Sequence, residues 1–75
     1  MELKILAFGR IAEITGRAFS IFAGDTDALR SGISLRFPEL SQSKFAIAVN
    51  KRIVNEVTAI SQNDEIALMP AYSGG

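Results

Sequence analysis

The chain has 75 residues, 48% of them apolar, with 8 acidic against 8 basic side chains and neither cysteine nor histidine. That length holds one domain at most. The charge balance leaves no basic footprint for nucleic acid, and the missing residue types exclude disulfides, thiolate or imidazole metal sites, and Ser-His or Cys-His nucleophile pairs.

In chain order, Leu3 to Phe8 reads as a first strand rich in Ile, Leu and Phe, broken by Gly9. The opening "MELKILAFG" carries a Glu and lacks a small-residue cleavage pattern, so it reads as a strand and not as a signal peptide. "RIAEITG" places Ile11 and Ile14 at helical spacing, with Gly16 as the stop, which predicts one or two turns of helix. Arg17 to Ala23 alternates Phe19 and Ile21 against Ala18 and Ser20, a second strand. The gap between these two strands is too short for a parallel crossover, so they form an antiparallel pair.

"GDTDALRSGISLRFPEL" is the main helix, capped by Asp25 or Thr26 and ended near Phe37 by Pro38. Leu29, Ile33 and Phe37 form its core-facing stripe. Gly32 stands mid-helix, either tolerated or permitting close approach to a strand. A polar loop follows, then a strand with Phe45, Ile47 and Val49 on one face, a turn at Asn50-Lys51 and a short strand at Arg52 to Val54. "SQND" marks another turn, with Asn63 suited to positive φ, and "EIALM" is the last strand, stopped by Pro70. Asp64 and Glu65 read as turn residues and not as an acid-base pair, because strand neighbours point to opposite faces. Lys51-Arg52 reads as a solvated pair at a turn. No stretch approaches a membrane span, and the absence of Cys is compatible with a cytoplasmic protein.

The predicted architecture is α+β: a mixed sheet with one main helix across one face, the first and last strands parallel and adjacent at its centre. This order resembles the β-grasp, the ubiquitin-like fold, as a single domain over 1–75 with 70–75 an extended C-terminal tail. Alternation puts Leu3, Ile5, Phe19, Ile21, Phe45, Ile47, Val49, Ile66 and Leu68 on the helix side. Leu6, Phe8, Ala46, Ala48, Ala67 and Met69 fall on the other, with Ile53 near it. A second face that met only water would be polar. This one is apolar: loops cover it, or it docks a protein through Phe8 and Met69.

The sequence ends on "PAYSGG". Extended, this segment reaches about 20 Å, enough to enter another protein's site while the apolar face docks beside it. Glycines without Cβ pass a narrow channel, and Gly75 leaves its carboxylate unshielded. A carboxylate is a poor electrophile, but an acyl-adenylate made with ATP offers a good leaving group to sulfur or to an amine. Tyr72 either anchors the tail in a partner's groove or lies on the surface.

The segments "AIAVNKRIV" and "SQNDEIALMP", the Gly-Gly end and the apolar first strand "LKILAFG" together resemble the small, sulfur carrier subunit of molybdopterin synthase. The resemblance runs in order over nearly the whole chain. It implies that Gly75 is adenylated by a ubiquitin-activating-like adenylyltransferase and becomes a thiocarboxylate. It also implies that Gly74, Ser73 and Tyr72 enter the large subunit, where sulfur passes to cyclic pyranopterin monophosphate. Phe8, Ile53 and Met69 fall where that family contacts its partners. The implied role is the sulfur-donating, non-catalytic subunit of a heterotetrameric sulfurtransferase. This chain would bind no metal or other cofactor, ATP being used by the activating enzyme. The chain departs from the family pattern at Ala71, where a second proline is common, at Asn63 in place of Gly, and at Ala12 in place of Arg. Two neighbouring readings share the reactive end: a carrier of sulfur for thiamine or another metabolite, and a ubiquitin-like protein modifier joined to lysine amines. A pure interaction domain with an inert tail is the third.

Overall fold

A computed structural model describes residues 1–42 and 45–70. Five strands form one sheet: β1 (Glu2–Ala7), β2 (Ala18–Phe22), β3 (Phe45–Val49), β4 (Arg52–Val54) and β5 (Ile66–Pro70). Two helices interrupt them, α1 (Gly9–Thr15) and α2 (Thr26–Arg36), with a 3₁₀ segment at Pro38–Gln42. The strand order is β2-β1-β5-β3-β4. β1 pairs antiparallel with β2 and parallel with β5, and β3 pairs antiparallel with β5 and with β4. This is the β-grasp expected from the element order, with the last strand at the centre of the sheet.

Strand alternation builds the core. Leu3, Ile5, Ile47, Ile66 and Leu68 meet Leu29 and Ile33 of α2, and all seven are fully buried. Burial of each such side chain contributes about 1.5–3 kcal/mol. Phe37 completes the helical stripe from the C-cap, its ring edge-on to Phe19 at 5.1 Å between centroids. The Arg36 guanidinium lies over both rings and donates to the Ser20 carbonyl at 2.5 Å. It thereby covers part of the exposed β2 strand.

Of the two candidate caps for α2, Asp25 is the one used: its Oδ1 accepts from the Ala28 N–H at 2.7 Å. Thr26 is buried instead. Its N–H donates to the Thr58 carbonyl at 2.9 Å, and its Oγ1 accepts from the Thr58 N–H at 2.9 Å, pinning the long loop before β5 to the helix start. Gly32 permits close approach, since a Cβ there would stand 3.1 Å from Ile21 Cδ1.

Three expectations change. The polar loop after α2 contains a 3₁₀ segment whose Leu40 is fully buried. Asn63 does not take positive φ; Asn50 and Lys51 do, at 53° and 70°. The turn near Asn63 closes instead through Asp64, whose Oδ2 accepts from the Ser61 N–H at 2.8 Å, leaving Asn63 in ordinary backbone. The last strand runs through Pro70, which pairs with Phe45, so the tail begins one residue later than expected. Among the described residues no helix is long and apolar enough to cross a membrane.

Candidate functional site

β5 brings the chain to the end of the sheet where Gly9 opens α1. Gly9 has φ of 62°, and a Cβ on it would lie 2.7 Å from Pro70 Cγ. The proline ring thus occupies the space a side chain at position 9 would need. Gly9 read only as a strand breaker in the sequence; the strand-Gly-helix junction "LAFGR" was the available signal. Tyr72, Ser73, Gly74 and Gly75 lie outside the described residues, as does Ala71.

The sheet face away from α2 carries the residues expected to contact a partner. Register aligns Ala18, Leu6, Ala67, Ala48 and Ile53 in one row across all five strands. Ala48 and Ala67 are almost fully buried, while Ile53 at the row's end is 53% exposed. The next row toward the chain exit holds Ala46 opposite Met69, both half-buried. Phe8 continues β1 in extended conformation, with φ of −130° and ψ of 159°, and its N–H donates to the Leu68 carbonyl at 3.1 Å. Alternation keeps Phe8 on the same face as Leu6, and half of it is exposed. Phe8 and Met69 are therefore register neighbours at the exit end. Ile53 stands on the same face two strands from β5 and one row back, about 12 Å away by standard sheet dimensions. The three predicted contact residues share one apolar surface, and the exposure of Phe8 and Ile53 shows that no described loop covers them.

The opposite end of this face is polar. Asn50 links the β3–β4 turn to the start of β5. Its N–H donates to the Glu65 carbonyl at 2.7 Å, its Oδ1 accepts from the Glu65 N–H at 2.9 Å, and its Nδ2 donates to Asp64 Oδ1 at 2.9 Å. The hydrogen bonds from Ser61 and Asn50 hold the Asp64 carboxyl below its ordinary pKa of 3.8. Asp64 is thus a turn acceptor, as expected, and Lys51 and Arg52 are exposed at the same turn.

A groove of about 660 Å³ opens beside the chain exit. It is lined by Leu6, Ala7, Phe8, Gly9, Ala12, Glu13 and Arg17. Sequence reasoning missed it, because its walls come from a strand end, a short helix and the first residue past a second turn. Among the described residues no cluster of His, Cys, Asp and Glu suits a metal ion. None of the described side chains forms a nucleophile-base pair; what the described residues present is a partly exposed apolar face and the groove beside Gly9.

Comparisons with known proteins agree with this arrangement. The sequence model of the ThiS family matches residues 5–75. A molybdopterin synthase sulfur carrier subunit of Arabidopsis thaliana is 30% identical over 81 aligned positions, covering 100% of this chain and 84% of that protein. A chain in the complex of subunits 1 and 2 of the molybdopterin-converting factor from Helicobacter pylori is 29% identical, with a TM-score of 0.72 and 100% of both chains covered. SAMP1 from Haloferax volcanii shares the fold, with a TM-score of 0.79, 19% identity and 100% of both chains covered. By a family match over nearly its whole length and a full-length relative at that identity, the chain belongs to the ThiS family and is a homologue of the molybdopterin synthase sulfur carrier subunit.

Proposed function

We propose that this chain is the sulfur carrier subunit of a molybdopterin synthase and that Gly75 carries the sulfur. The family match that runs to residue 75, and so includes the Gly-Gly end, is the observation that carries the reading. The apolar face ending at Phe8 and Met69, where β5 hands over to the tail, supports it.

The chemistry follows from what the chain lacks. Without Cys it cannot hold sulfur on a thiol, and without His it has no imidazole base. The terminal carboxylate is the reactive group, and activation comes from outside. A ubiquitin-activating-like adenylyltransferase joins a Gly75 carboxylate oxygen to the α-phosphorus of ATP and releases pyrophosphate. A sulfur nucleophile then attacks the acyl carbon, AMP leaves, and a thiocarboxylate remains. The large subunit docks on Phe8, Ile53 and Met69 while Tyr72, Ser73 and Gly74 lead Gly75 into its site. There the sulfur passes to cyclic pyranopterin monophosphate, and water restores the carboxylate. A dithiolene holds two sulfurs, so two charged carriers discharge for each product. In the Helicobacter pylori structure subunit 1 is in complex with subunit 2, an arrangement consistent with this partnership.

Intact-mass and fragment spectra after incubation with an activating enzyme, ATP and a sulfur donor test the reading. One carboxyl oxygen of Gly75 is replaced by sulfur, and adding the large subunit with cyclic pyranopterin monophosphate returns the carboxylate. A thiocarboxylate that forms but is never discharged there points to a carrier for thiamine or another metabolite. Isopeptide products without a thiocarboxylate point to a protein modifier. No change at Gly75 overturns the carrier reading.

A further inference from the structure

β2 is the first strand in the order β2-β1-β5-β3-β4, so one of its edges faces away from the sheet. The Ala23 N–H donates to the Met1 carbonyl at 3.0 Å, and the Ala7 N–H donates to the Arg17 carbonyl at 2.9 Å. These bonds flank a register that runs from Glu2 with Phe22 to Leu6 with Ala18. Opposite residues in an antiparallel pair alternate between bonded and non-bonded positions. Phe19 and Ile21 therefore bond to β1, while Ala18, Ser20 and Phe22 turn their N–H and carbonyl groups outward. All three are exposed, Phe22 by 72%. Such a row is a template for another strand.

Among the described residues, the Arg36 side chain closes this row at its middle. Its Nη1 donates to the Ser20 carbonyl at 2.5 Å, and its guanidinium stands 5.6 Å from the Phe19 ring centroid and 5.4 Å from that of Phe37. Arg36 is the last residue of α2, so the packing of the helix on the sheet sets it in place.

The edge is complementary to itself. Two copies of β2 placed antiparallel about Ser20 set Ser20 against Ser20 and, on either side, Ala18 against Phe22. Each of these pairs exchanges both of its backbone bonds. The large exposed ring of Phe22 then meets the smallest side chain of the strand, with half-buried Leu6 beside it in β1. On the helix side Phe19 falls opposite Ile21, an aromatic and β-branched pair of the kind that stabilises cross-strand contacts. The charges agree as well. Arg17, exposed just before β2, comes to the end of the other strand where Asp25 and Asp27 open α2. The two Lys4 side chains stay three strand spacings apart, about 14 Å, beyond the screening length of about 8 Å in physiological salt.

We propose that β2 is a self-pairing edge for a second copy of this chain, held shut by Arg36. With the guanidinium on Ser20 the protein is a monomer. Removal of that side chain lets two copies join their sheets through antiparallel β2 strands. The inference rests on backbone geometry and not on the sulfur carrier reading.

Size-exclusion chromatography with light scattering tests it, at concentrations up to those used for nuclear magnetic resonance. The parent chain has the mass of one copy throughout. Arg36→Ala reaches the mass of two as concentration rises and returns to one on dilution. Arg36→Ala combined with Ser20→Pro stays at one, since proline removes the central donor at a position where an edge strand tolerates it. Circular dichroism confirms that each variant keeps the sheet. Hydrogen exchange gives a second measurement that does not depend on the proline variant. The Ser20 amide exchanges as an open amide in the parent and slows by about tenfold or more in concentrated Arg36→Ala. Arg36→Ala that stays a monomer at every concentration overturns the proposal, as does a parent chain that dimerises equally readily. A dimer that survives Ser20→Pro, or whose Ser20 amide stays open, also overturns it and places the contact elsewhere, on the apolar face around Phe8 and Ile53.

Discussion

Replacing glycines by alanine in turn separates the physical demands placed on the chain exit. Gly24 lies outside the left-handed region, and a Cβ there meets nothing within 4 Å. Gly24→Ala should leave stability unchanged or raise it by about 0.4–1 kcal/mol through the unfolded chain's lost freedom. Gly16 has φ of 86° and ψ of 169°, also with open space around it. This backbone region is nearly glycine-only, so Gly16→Ala costs about 1–3 kcal/mol in strain alone. Gly9 combines both penalties: φ of 62°, and a Cβ that would sit 2.7 Å from Pro70 Cγ. Left-handed strain of about 1–2 kcal/mol adds to overpacking of about 1–3 kcal/mol, so Gly9→Ala loses roughly 2–5 kcal/mol. Urea unfolding followed by far-ultraviolet circular dichroism measures all three, with the order Gly24→Ala, Gly16→Ala, Gly9→Ala from most to least stable. Gly9→Ala as stable as Gly24→Ala would refute the idea that the Gly9–Pro70 contact requires an absent side chain.

Deleting Gly74 and Gly75 should leave the thermal transition nearly unchanged and abolish sulfur transfer, because the buried core is complete by Leu68; calorimetry beside a transfer assay checks both halves. Met69→Asp or Phe8→Asp should weaken binding to a large subunit while the isolated domain keeps its fold, since an unpaired charge in a desolvated contact costs several kcal/mol; undiminished binding by the double variant in titration calorimetry removes the docking face. Asp64 has a folded pKa below its ordinary 3.8, so its contribution to stability is present above that value and is lost as pH falls through the lower folded one. Asp64→Asn should therefore flatten the acid limb of the stability-pH curve, and an unaltered acid limb in urea titrations speaks against the Ser61–Asp64–Asn50 network.

The parts of the molecule that were legible in the sequence are those governed by short periods. Alternation in "FAIAV" and "EIALM" sorted Ile47, Ile66 and Leu68 from Ala48 and Met69, and the spacing of Leu29 and Ile33 fixed the buried stripe of α2. Leu40 and Ile60 were not legible as core, though both are buried, because a single apolar residue inside a polar stretch has no period to reveal it. Asn63 carried the right chemistry for a left-handed turn, but the neighbouring Asp64 closed that turn with a side-chain hydrogen bond instead. The apolar second face of the sheet was visible as misplaced apolar residues, with Phe8 and Ile53 exposed on it. The groove was not visible, since Leu6, Ala12 and Arg17 meet only once α1 folds between two paired strands.

The parallel run of β1 beside β5 also determines how the protein answers a mechanical load. Its first strand enters at one end of the sheet and its last leaves at the other, with Ile5, Leu6 and Ala7 in register with Ile66, Ala67 and Leu68. A pull applied between those ends acts along the strands and loads the hydrogen bonds joining them together, in shear, instead of peeling them apart one at a time. The second side of β5 is held in the same way by β3. Tension applied through the chain beyond Pro70 therefore loads the sheet along its strands, and the strand it pulls on, β5, is paired on both edges.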